Sequence, residues 1–562
     1  MGYFIGVVVF VLVIVFIVNV GKKSDGRPIE SKSIPKHHIV LTDEFNEILD
    51  LMKNTNENLF ITGKAGTGKS SLLKYFVKNA NKKFVILAPT GIAALNVGGQ
   101  TVHSFFRFPP SRINANKIES DFVRAELFKN LEMVIIDEIS MVRADLMHGI
   151  DIALRKNRNR PNEPFGGVQM VFIGDLFQLP PVLTNEDRDH IFQTYGGQYF
   201  FDAPVFKNFN YQFKELTTVF RQSDEQPEFK IMLNNIRNNK AEFEDMVLLN
   251  SRHKDNAGVQ ENSIFLTTRR SIARNINNEK LDILPGDKII YIGELSGKYL
   301  KLKEEAEDKL EDKLPAPYKL ELKNNAQIMM LKNDGGRRWV NGSIGKIVKL
   351  EQDVITVTIE GNTYRIERES WNEVEYSLNK ETKEIEEKVI AGFTQFPLQL
   401  AYAMTIHKSQ GKTFDKITVD VGTGAFAHGQ IYVALSRCRT LEGIILNNPI
   451  RNTDIIVDPR IIEYYNTKST PQSTISSISS SSDPSIKDKL LKAINEKQKI
   501  KILYENFNGE LSERQLSDLK LTEDFNEFGY DKQHIKGFCH LRKEERSFKI
   551  DRIKQIELLK SN

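Results

Sequence analysis

Two short runs in the first third of the chain carry the side chains that phosphoryl chemistry needs. Gly63-Lys64-Ala65-Gly66-Thr67-Gly68-Lys69-Ser70 fits the pattern G-x-x-x-x-G-K-[ST], between an apolar strand Leu59–Thr62 and a helical stretch Ser71–Asn79. Glycines at that spacing allow positive φ and close backbone approach, so successive N–H groups can point at phosphate oxygens. The helix N-terminus that follows adds its dipole. Lys69 can reach the β- and γ-phosphates and Ser70 can ligate Mg²⁺. Farther on, the apolar strand Met133–Ile136 ends in Asp137-Glu138. Asp137 would join Ser70 in holding the Mg²⁺ shell, and Glu138 would polarise the attacking water. The implied reaction is hydrolysis of a nucleoside triphosphate by in-line attack on the γ-phosphate.

Such a site needs a sheet to hold it. From about residue 40 to 220, β-branched apolar runs alternate with helical patterns, as in Phe84–Ala88 and Met170–Ile173. That alternation predicts a parallel sheet with helices on both faces. Residues 326–395 change character: Gly335-Gly336, Asn341-Gly342 and Gly361-Asn362 separate short alternating strands, which predicts a small β-barrel insertion. The α/β pattern resumes at Gln399 and runs to about 465. Composition agrees with several packed domains. The chain has 562 residues, 40% hydrophobic and 27% charged. This excludes a disordered, collagen-like or polytopic membrane protein. Two cysteines, Cys438 and Cys539, exclude a disulfide framework and a structural zinc site. The net charge of +4 neither demands nor excludes nucleic acid, because a basic groove can hide in a balanced total.

Later motifs say what the hydrolysis drives. Phe172-Ile173-Gly174-Asp175-Leu176-Phe177-Gln178-Leu179-Pro180-Pro181 is followed by Phe220-Arg221-Gln222. Then come Thr405-Ile406-His407-Lys408-Ser409-Gln410-Gly411-Lys412-Thr413 and Tyr432-Val433-Ala434-Leu435-Ser436-Arg437-Cys438-Arg439. With these ordered blocks, residues 40 to 460 resemble the superfamily 1 helicases, and within them the Pif/RecD-like (Dda-like) DNA helicase family.

The resemblance implies an α/β fold of two RecA-like P-loop motor domains, 1A and 2A, that clamp ATP and Mg²⁺ between them. Domain 1A would span 39–215, with a small 1B wedge near 101–120. Domain 2A would span 216–325 and 396–465, with an SH3-like 2B insertion at 326–395. Gln178 would sense the γ-phosphate, and Arg221 and Arg437 would be arginine fingers. A guanidinium fork suits that task because it neutralises phosphate charge bidentately. Thr90, His103, Ser104, Phe105, Thr405, His407 and Lys408 fall in motifs that resemble strand contacts, with plain core packing as the alternative for Phe105 and Phe106. The implied activity is ATP-dependent translocation on single-stranded DNA, 5′ to 3′, and unwinding of forked DNA by a monomeric motor in repair, recombination or genome maintenance. The family's adenine-reading Gln is missing: the chain reads Leu41-Thr42-Asp43-Glu44-Phe45-Asn46, where Asn46 could substitute.

Both ends differ from the motor. Tyr3–Val18 is an uninterrupted apolar run followed by Lys22-Lys23. It is near the lower limit for spanning a hydrocarbon core of about 30 Å. Residues 1–21 are therefore expected to be a transmembrane anchor and 22–38 a linker, with a cleaved signal peptide or a mis-assigned start as alternatives. The two lysines would keep the catalytic bulk in the cytoplasm. Residues 466–485 form a Ser-rich linker. Residues 486–562 are similar to the WYL domain, through the run Arg546-Ser547-Phe548-Lys549-Ile550-Asp551-Arg552-Ile553, although Phe538-Cys539-His540 stands where Trp-Tyr-Leu is usual. There Tyr504, Arg542, Arg546 and Arg552 are candidate ligand or nucleic-acid contacts. Two other functions stay open on sequence: a membrane-tethered, ATP-regulated nucleic-acid-binding switch, and an RNA helicase.

Overall fold

The alternation of apolar runs and helices between residues 43 and 216 folds as a six-stranded parallel sheet. Its strands are β1 (Leu59–Gly63), β2 (Phe84–Ala88), β3 (Gln100–Thr101), β4 (Met133–Ile136), β5 (Gln169–Ile173) and β6 (Gln212–Leu216), in the order β3-β2-β4-β5-β1-β6. All five neighbouring pairs are parallel. Strands β1, β4 and β5 are buried along their whole length. Helices on both faces leave no polar side, and this is why these strands read as unbroken apolar runs. The helix Asp43–Asn54 shows the local logic. The Thr42 side chain accepts the Phe45 N–H as its cap, two acids open its first turn, and Phe45, Ile48, Leu49 and Met52 make its buried stripe.

In this computed structural model the described residues are 41–559, apart from 110–111, 223–225, 256, 307–309, 311–312, 337, 470–483, 497, 506–510, 523–533 and 541–543. The expected anchor (1–21), the linker 22–38, most of the Ser-rich linker and Arg542 lie outside them. Among the described residues no helix is long and apolar enough to cross a membrane.

A second parallel sheet orders Ala403–Thr405, Ile264–Thr267, Ile417–Asp420 and Ile444–Leu446 side by side. It forms the second lobe. Between its first two strands in sequence lies the β-rich insertion. Five antiparallel strands, from Asn362–Ile366 across to Leu398–Leu400, enclose a separate core of Ile328, Ile347, Ile355, Val357, Ile359 and Leu398.

The insertion differs from the expected 326–395 in two ways. Strands begin earlier, at Ile289–Ile292, which pairs with Lys319–Leu322. Only Tyr291 of that first strand is buried, so it carries little of the patterning that marks a strand. The long hairpin Glu369–Leu378 and Ile385–Gln395 leaves the five-stranded sheet and pairs instead with Glu294–Gly297. Its far end docks on the first lobe. There the Ile86 N–H donates to Tyr376 Oη at 3.2 Å, and Lys83 Nζ donates to Lys383 O at 2.8 Å.

The chain divides after Ser469. The C-terminal unit has a helix Pro484–Asn495 and five antiparallel strands, with Lys499–Glu505 paired to both Leu511–Thr522 and Ile553–Leu559. Its core includes Leu490, Ile500, Ile502, Leu516, Ile535, Cys539 and Phe548.

Candidate active site

Parallel strands bring their carboxyl ends to one edge, and the candidate residues gather there. The loop after β1 holds Gly66 at φ 87° and Gly68 at φ 86°, the left-handed region that favours glycine. Crowding adds to the requirement at Gly66, where a Cβ would stand 2.4 Å from Arg221 Cβ. Lys69 and Ser70 open the helix Lys69–Asn79. Lys69 Nζ is held by Gly63 O at 2.7 Å and Lys64 O at 3.1 Å. Burial lowers the pKa of the Lys69 ammonium, which Asp175 and Glu138 oppose. Ser70 is exposed, Thr67 is buried, and Ala65 is packed in the loop.

Asp137 and Glu138 follow β4. Burial raises the Asp137 carboxyl, against the pull of Lys69 and Lys74. Glu138 takes a left-handed backbone, φ 51°, that residues with side chains rarely adopt. Its carboxyl is pushed up to about 7, first by burial and then by Asp137, with Lys69 and Arg437 opposing. Asp175 and Gln178 follow β5. Burial would raise Asp175, but Arg237 and Lys69 hold it below the ordinary carboxylate value.

Both candidate arginines reach this edge. Arg221 lies against the phosphate loop, where the Phe220 N–H donates to Gly66 O at 2.9 Å. Arg221 Nη1 donates to Ser436 O at 3.1 Å. Arg437 is 1% exposed, with Nε on Val433 O at 2.9 Å and Nη2 on Ser436 Oγ at 3.0 Å. Burial lowers Arg221 to about 9, helped by Arg437, and burial lowers Arg437 to about 10. Guanidiniums crowded out of water beside a glycine-rich loop suit a polyanion that would restore their balance. Asp137 has no ion pair among the described residues. A buried carboxylate at the same strand edge as the phosphate loop, close enough to Lys69 to feel its charge, fits a divalent cation held with phosphate oxygens.

Several residues here were not singled out from sequence. Arg237 is 2% exposed, donates to Asp175 Oδ1 at 3.0 Å, and stacks over Phe177 at 4.0 Å. Gln410 Nε2 donates to Glu138 Oε2 at 3.1 Å. The Tyr432 hydroxyl accepts the Ala65 N–H at 2.8 Å. Arg237 closes an ordinary amphipathic helix, Pro227–Arg237, and nothing in the pattern distinguishes it.

The candidate strand contacts divide. Thr90 is exposed after β2, and its Oγ1 caps the helix Gly91–Val97 by accepting the Ala93 N–H. His103 and Ser104 are half-buried on the helix Val102–Phe106. Burial and then Arg143 lower the His103 pKa below its ordinary value. Thr405 Oγ1 caps the turn that carries half-buried His407 and exposed Lys408. Phe105 is a correction. It is 0% exposed among Phe106, Phe128 and Tyr376, so its ring packs core and offers no face to a base. In the expected wedge near 101–120, Val102, Phe106, Ile113 and Ala115 are buried, while Arg107, Pro109, Asn114, Asn116, Lys117 and Glu119 are exposed. The protruding apolar pair comes just after it: Phe122 and Val123 are both 87% exposed. Asp121 braces them by accepting from Arg124 Nε at 2.7 Å and pairing with Arg107 at 3.2 Å. In place of a Gln before the phosphate loop, Asn46 is exposed, while the buried Phe45 ring meets Phe220 edge-on at 6.4 Å.

Known proteins share this arrangement. Residues 40–247 match the family described as PIF1-like helicase, 373–469 a helicase family, and 485–558 the WYL domain. The ATP-dependent DNA helicase Pif1 of Bdellovibrio bacteriovorus is 34% identical over 443 residues, covering 77% of this chain and 93% of that protein. The human ATP-dependent DNA helicase PIF1 is 31% identical over 457 residues, covering 78% of this chain and 66% of that one. Unliganded Pif1 from Bacteroides sp superposes with a TM-score of 0.70 at 39% identity, covering 77% of this chain and 98% of that chain. The complex of Bacteroides sp Pif1 with ADP-AlF4 gives 0.69 at the same identity and coverage. Two RecA-like lobes with their motifs in register, matched along nearly the whole of a bacterial relative, leave one assignment: this chain belongs to the PIF1-like helicase family, with a WYL domain at its C-terminus.

Proposed function

We propose that this chain is an ATP-dependent DNA helicase that moves 5′ to 3′ along single-stranded DNA and unwinds forked duplexes, in repair or recombination. The observation that carries the reading is the composite site. The phosphate loop, Asp137, Glu138 and Gln178 come from one lobe, and Arg437 reaches the same edge from the other. The relatives' names and the DNA complexes among their structures support the substrate class, including a Bacteroides Pif1 bound to ssDNA.

Gly63, Lys64, Ala65, Gly66, Thr67, Gly68, Lys69 and Ser70 cradle the triphosphate. Ser70 and Asp137 would hold Mg²⁺, which would neutralise β- and γ-phosphate charge. Glu138 takes the proton from the attacking water, and Gln178 reports the γ-phosphate. Arg221 and Arg437 stabilise the charge that develops on it. Hydrolysis changes the closure of the lobes, and alternating grip through Thr90, His103, Ser104, Thr405, His407 and Lys408 turns closure into steps. Phe122 and Val123 form the apolar wedge at the fork. The WYL unit adds a nucleic-acid or ligand contact through Tyr504, Arg546 and Arg552. The motor works as a monomer on the cytoplasmic side, and the apolar run Tyr3–Val18 supports a membrane tether there.

Forked substrates with a single 5′ or 3′ tail test the reading. The chain should unwind only the 5′-tailed fork, and Lys69→Ala should lose both DNA-stimulated hydrolysis and unwinding. Unwinding that survives Lys69→Ala refutes it. Stimulation by RNA homopolymers above DNA would favour the RNA helicase, and ATP binding without turnover would favour the switch.

A further inference from the structure

A buried polar hub stands beside the phosphate loop, and of its members the hydrolysis scheme above gives a task only to Gln178. Its centre is Asp175, 1% exposed. Asp175 Oδ1 accepts from Arg237 Nη2 at 3.0 Å, and Oδ2 accepts from Gln178 Nε2 at 3.3 Å. Tyr432 Oη donates to the same Oδ2 at 3.4 Å and accepts the Ala65 N–H at 2.8 Å.

Tyr432 belongs to the second lobe. It stands on the short helix Gln430–Leu435, and Arg437 follows just past the cap residue Ser436, tied back to that helix by its Nε on Val433 O. One hydroxyl therefore touches the phosphate-loop backbone of the first lobe, touches the acid that orients Gln178, and belongs to the helix that carries Arg437. The ring is 4% exposed, so it has little room to move independently of its helix. A phenol that accepts from an amide and donates to a carboxylate has both its directions fixed. Arg237 fixes the far side of the hub, because Asp175 is clamped between its guanidinium and the Tyr432 hydroxyl.

We propose that Tyr432 is a positioning residue for ATP hydrolysis, whose hydroxyl sets the register of Arg437 and Gln178 against the phosphate loop. The inference rests on the ATPase reading above. It differs from a merely structural role in what it moves. A buried hydroxyl that only stabilises the fold changes melting; one that sets register changes turnover, because a misplacement of about 1 Å at a reacting centre costs on the order of a hundredfold.

The test uses the purified full chain with Tyr432→Phe, which keeps the ring and removes the hydroxyl. Tyr211→Phe is the control. It removes a hydroxyl that meets Tyr464 Oη at 2.5 Å, well away from the phosphate loop in sequence and in contacts. DNA-stimulated kcat and KM for ATP, affinity for a fluorescent ATP analogue, and thermal melting are measured for both. Tyr432→Phe should lower kcat by about tenfold to a hundredfold while analogue affinity stays within about threefold. Tyr211→Phe should leave kcat unchanged. Combining Tyr432→Phe with Arg437→Lys should cost less than the product of the single losses, since both act through one guanidinium. Wild-type kcat in Tyr432→Phe overturns the proposal, as does strict multiplicativity with Arg437→Lys, or loss of kcat that tracks melting equally in both Phe variants. If Tyr432→Phe does not fold, a fluorinated tyrosine at 432 keeps the ring and hydroxyl but alters donor strength, and an unchanged kcat there overturns it equally. A wild-type chain that turns over no ATP would fail the ATPase reading instead.

Discussion

Gln410 of the second lobe donates its side-chain amide to the Glu138 carboxylate of the first at 3.1 Å. The donor lies directly after the turn His407–Ser409, so the loop that carries Lys408 also touches the group proposed to take the proton from water. An amide donor favours the ionised carboxylate. Glu138 stands at about 7, so hydrolysis should rise as pH climbs through 7. Gln410→Ala removes the donor and moves that inflection upward. At pH 7 kcat should fall several-fold and recover by pH 8.5, which a pH series of DNA-stimulated turnover reads directly. An unmoved inflection would refute the coupling.

The same carboxyl makes a stability prediction of opposite sign. Its folded value of about 7 is above the ordinary 4.5, so the folded state holds the proton more tightly. Its contribution to stability is full below pH 4.5 and is lost as pH rises through 7. Glu138→Gln stays neutral throughout. It should melt higher than wild type at pH 8, by about 2 °C or more, with the gap closing at pH 5, while kcat falls to background. Thermal melts of both proteins at the two pH values decide it.

Gly66 and Arg221 make one joint. A side chain at 66 would need the left-handed φ of 87° and would press on Arg221 Cβ. Gly66→Ala should therefore weaken ATP binding and lower kcat together. Arg437→Ala should chiefly lower kcat, by about a thousandfold or more. Titration with a fluorescent ATP analogue separates the two cases. Full analogue affinity in Gly66→Ala would remove the steric argument.

Phe105 and Lys408 should behave in opposite ways. Phe105→Ala empties a core position and should destabilise the fold by about 3–5 kcal/mol, with little change in DNA affinity of the folded fraction. Lys408→Ala should leave melting unchanged and lower the salt slope of single-strand binding by about 0.7, the loss of one phosphate contact. Binding isotherms across a salt series, with melting curves beside them, check both. Phe122→Ala belongs with these: unwinding should drop while DNA-stimulated hydrolysis persists, because a wedge acts on the fork and not on the nucleotide.

The chemistry was legible where it is local. Gly63 to Ser70, Asp137-Glu138 and the Arg437 block are continuous in sequence; the first two lie at the ends of apolar strands that read clearly, and the third on and just after the helix Gln430–Leu435. Depth was not legible. Phe105 sits two residues from His103 in a motif that resembles strand contacts, and only tertiary packing shows its ring enclosed by Phe128 and Tyr376. Long-range partners were invisible for a related reason. Arg237 lies on an ordinary helix, and although Asp175, Ala65 and Tyr432 each fall in marked motifs, no periodicity shows which residue remote in the chain each one meets. The hairpin 369–395 was read as part of the barrel because its alternation is that of any antiparallel strand; its pairing with Glu294–Gly297 depends on a segment with little pattern.

That hairpin has a mechanical consequence. It is rooted among the insertion strands, yet its tip is fastened to the first lobe by Tyr376 on the Ile86 N–H and by Lys83 on Lys383 O. The insertion also touches the second lobe, through Lys412 Nζ on Asn341 Oδ1 at 3.0 Å. The lobes are thus bridged at the nucleotide edge and through this strap, as well as by Tyr199 on Asp458 at 2.7 Å and Tyr211 on Tyr464. The strap therefore adds a tie between the lobes that does not pass through the nucleotide edge. A larger excursion requires the tip to let go of β2, the strand whose carboxyl end leads into Thr90.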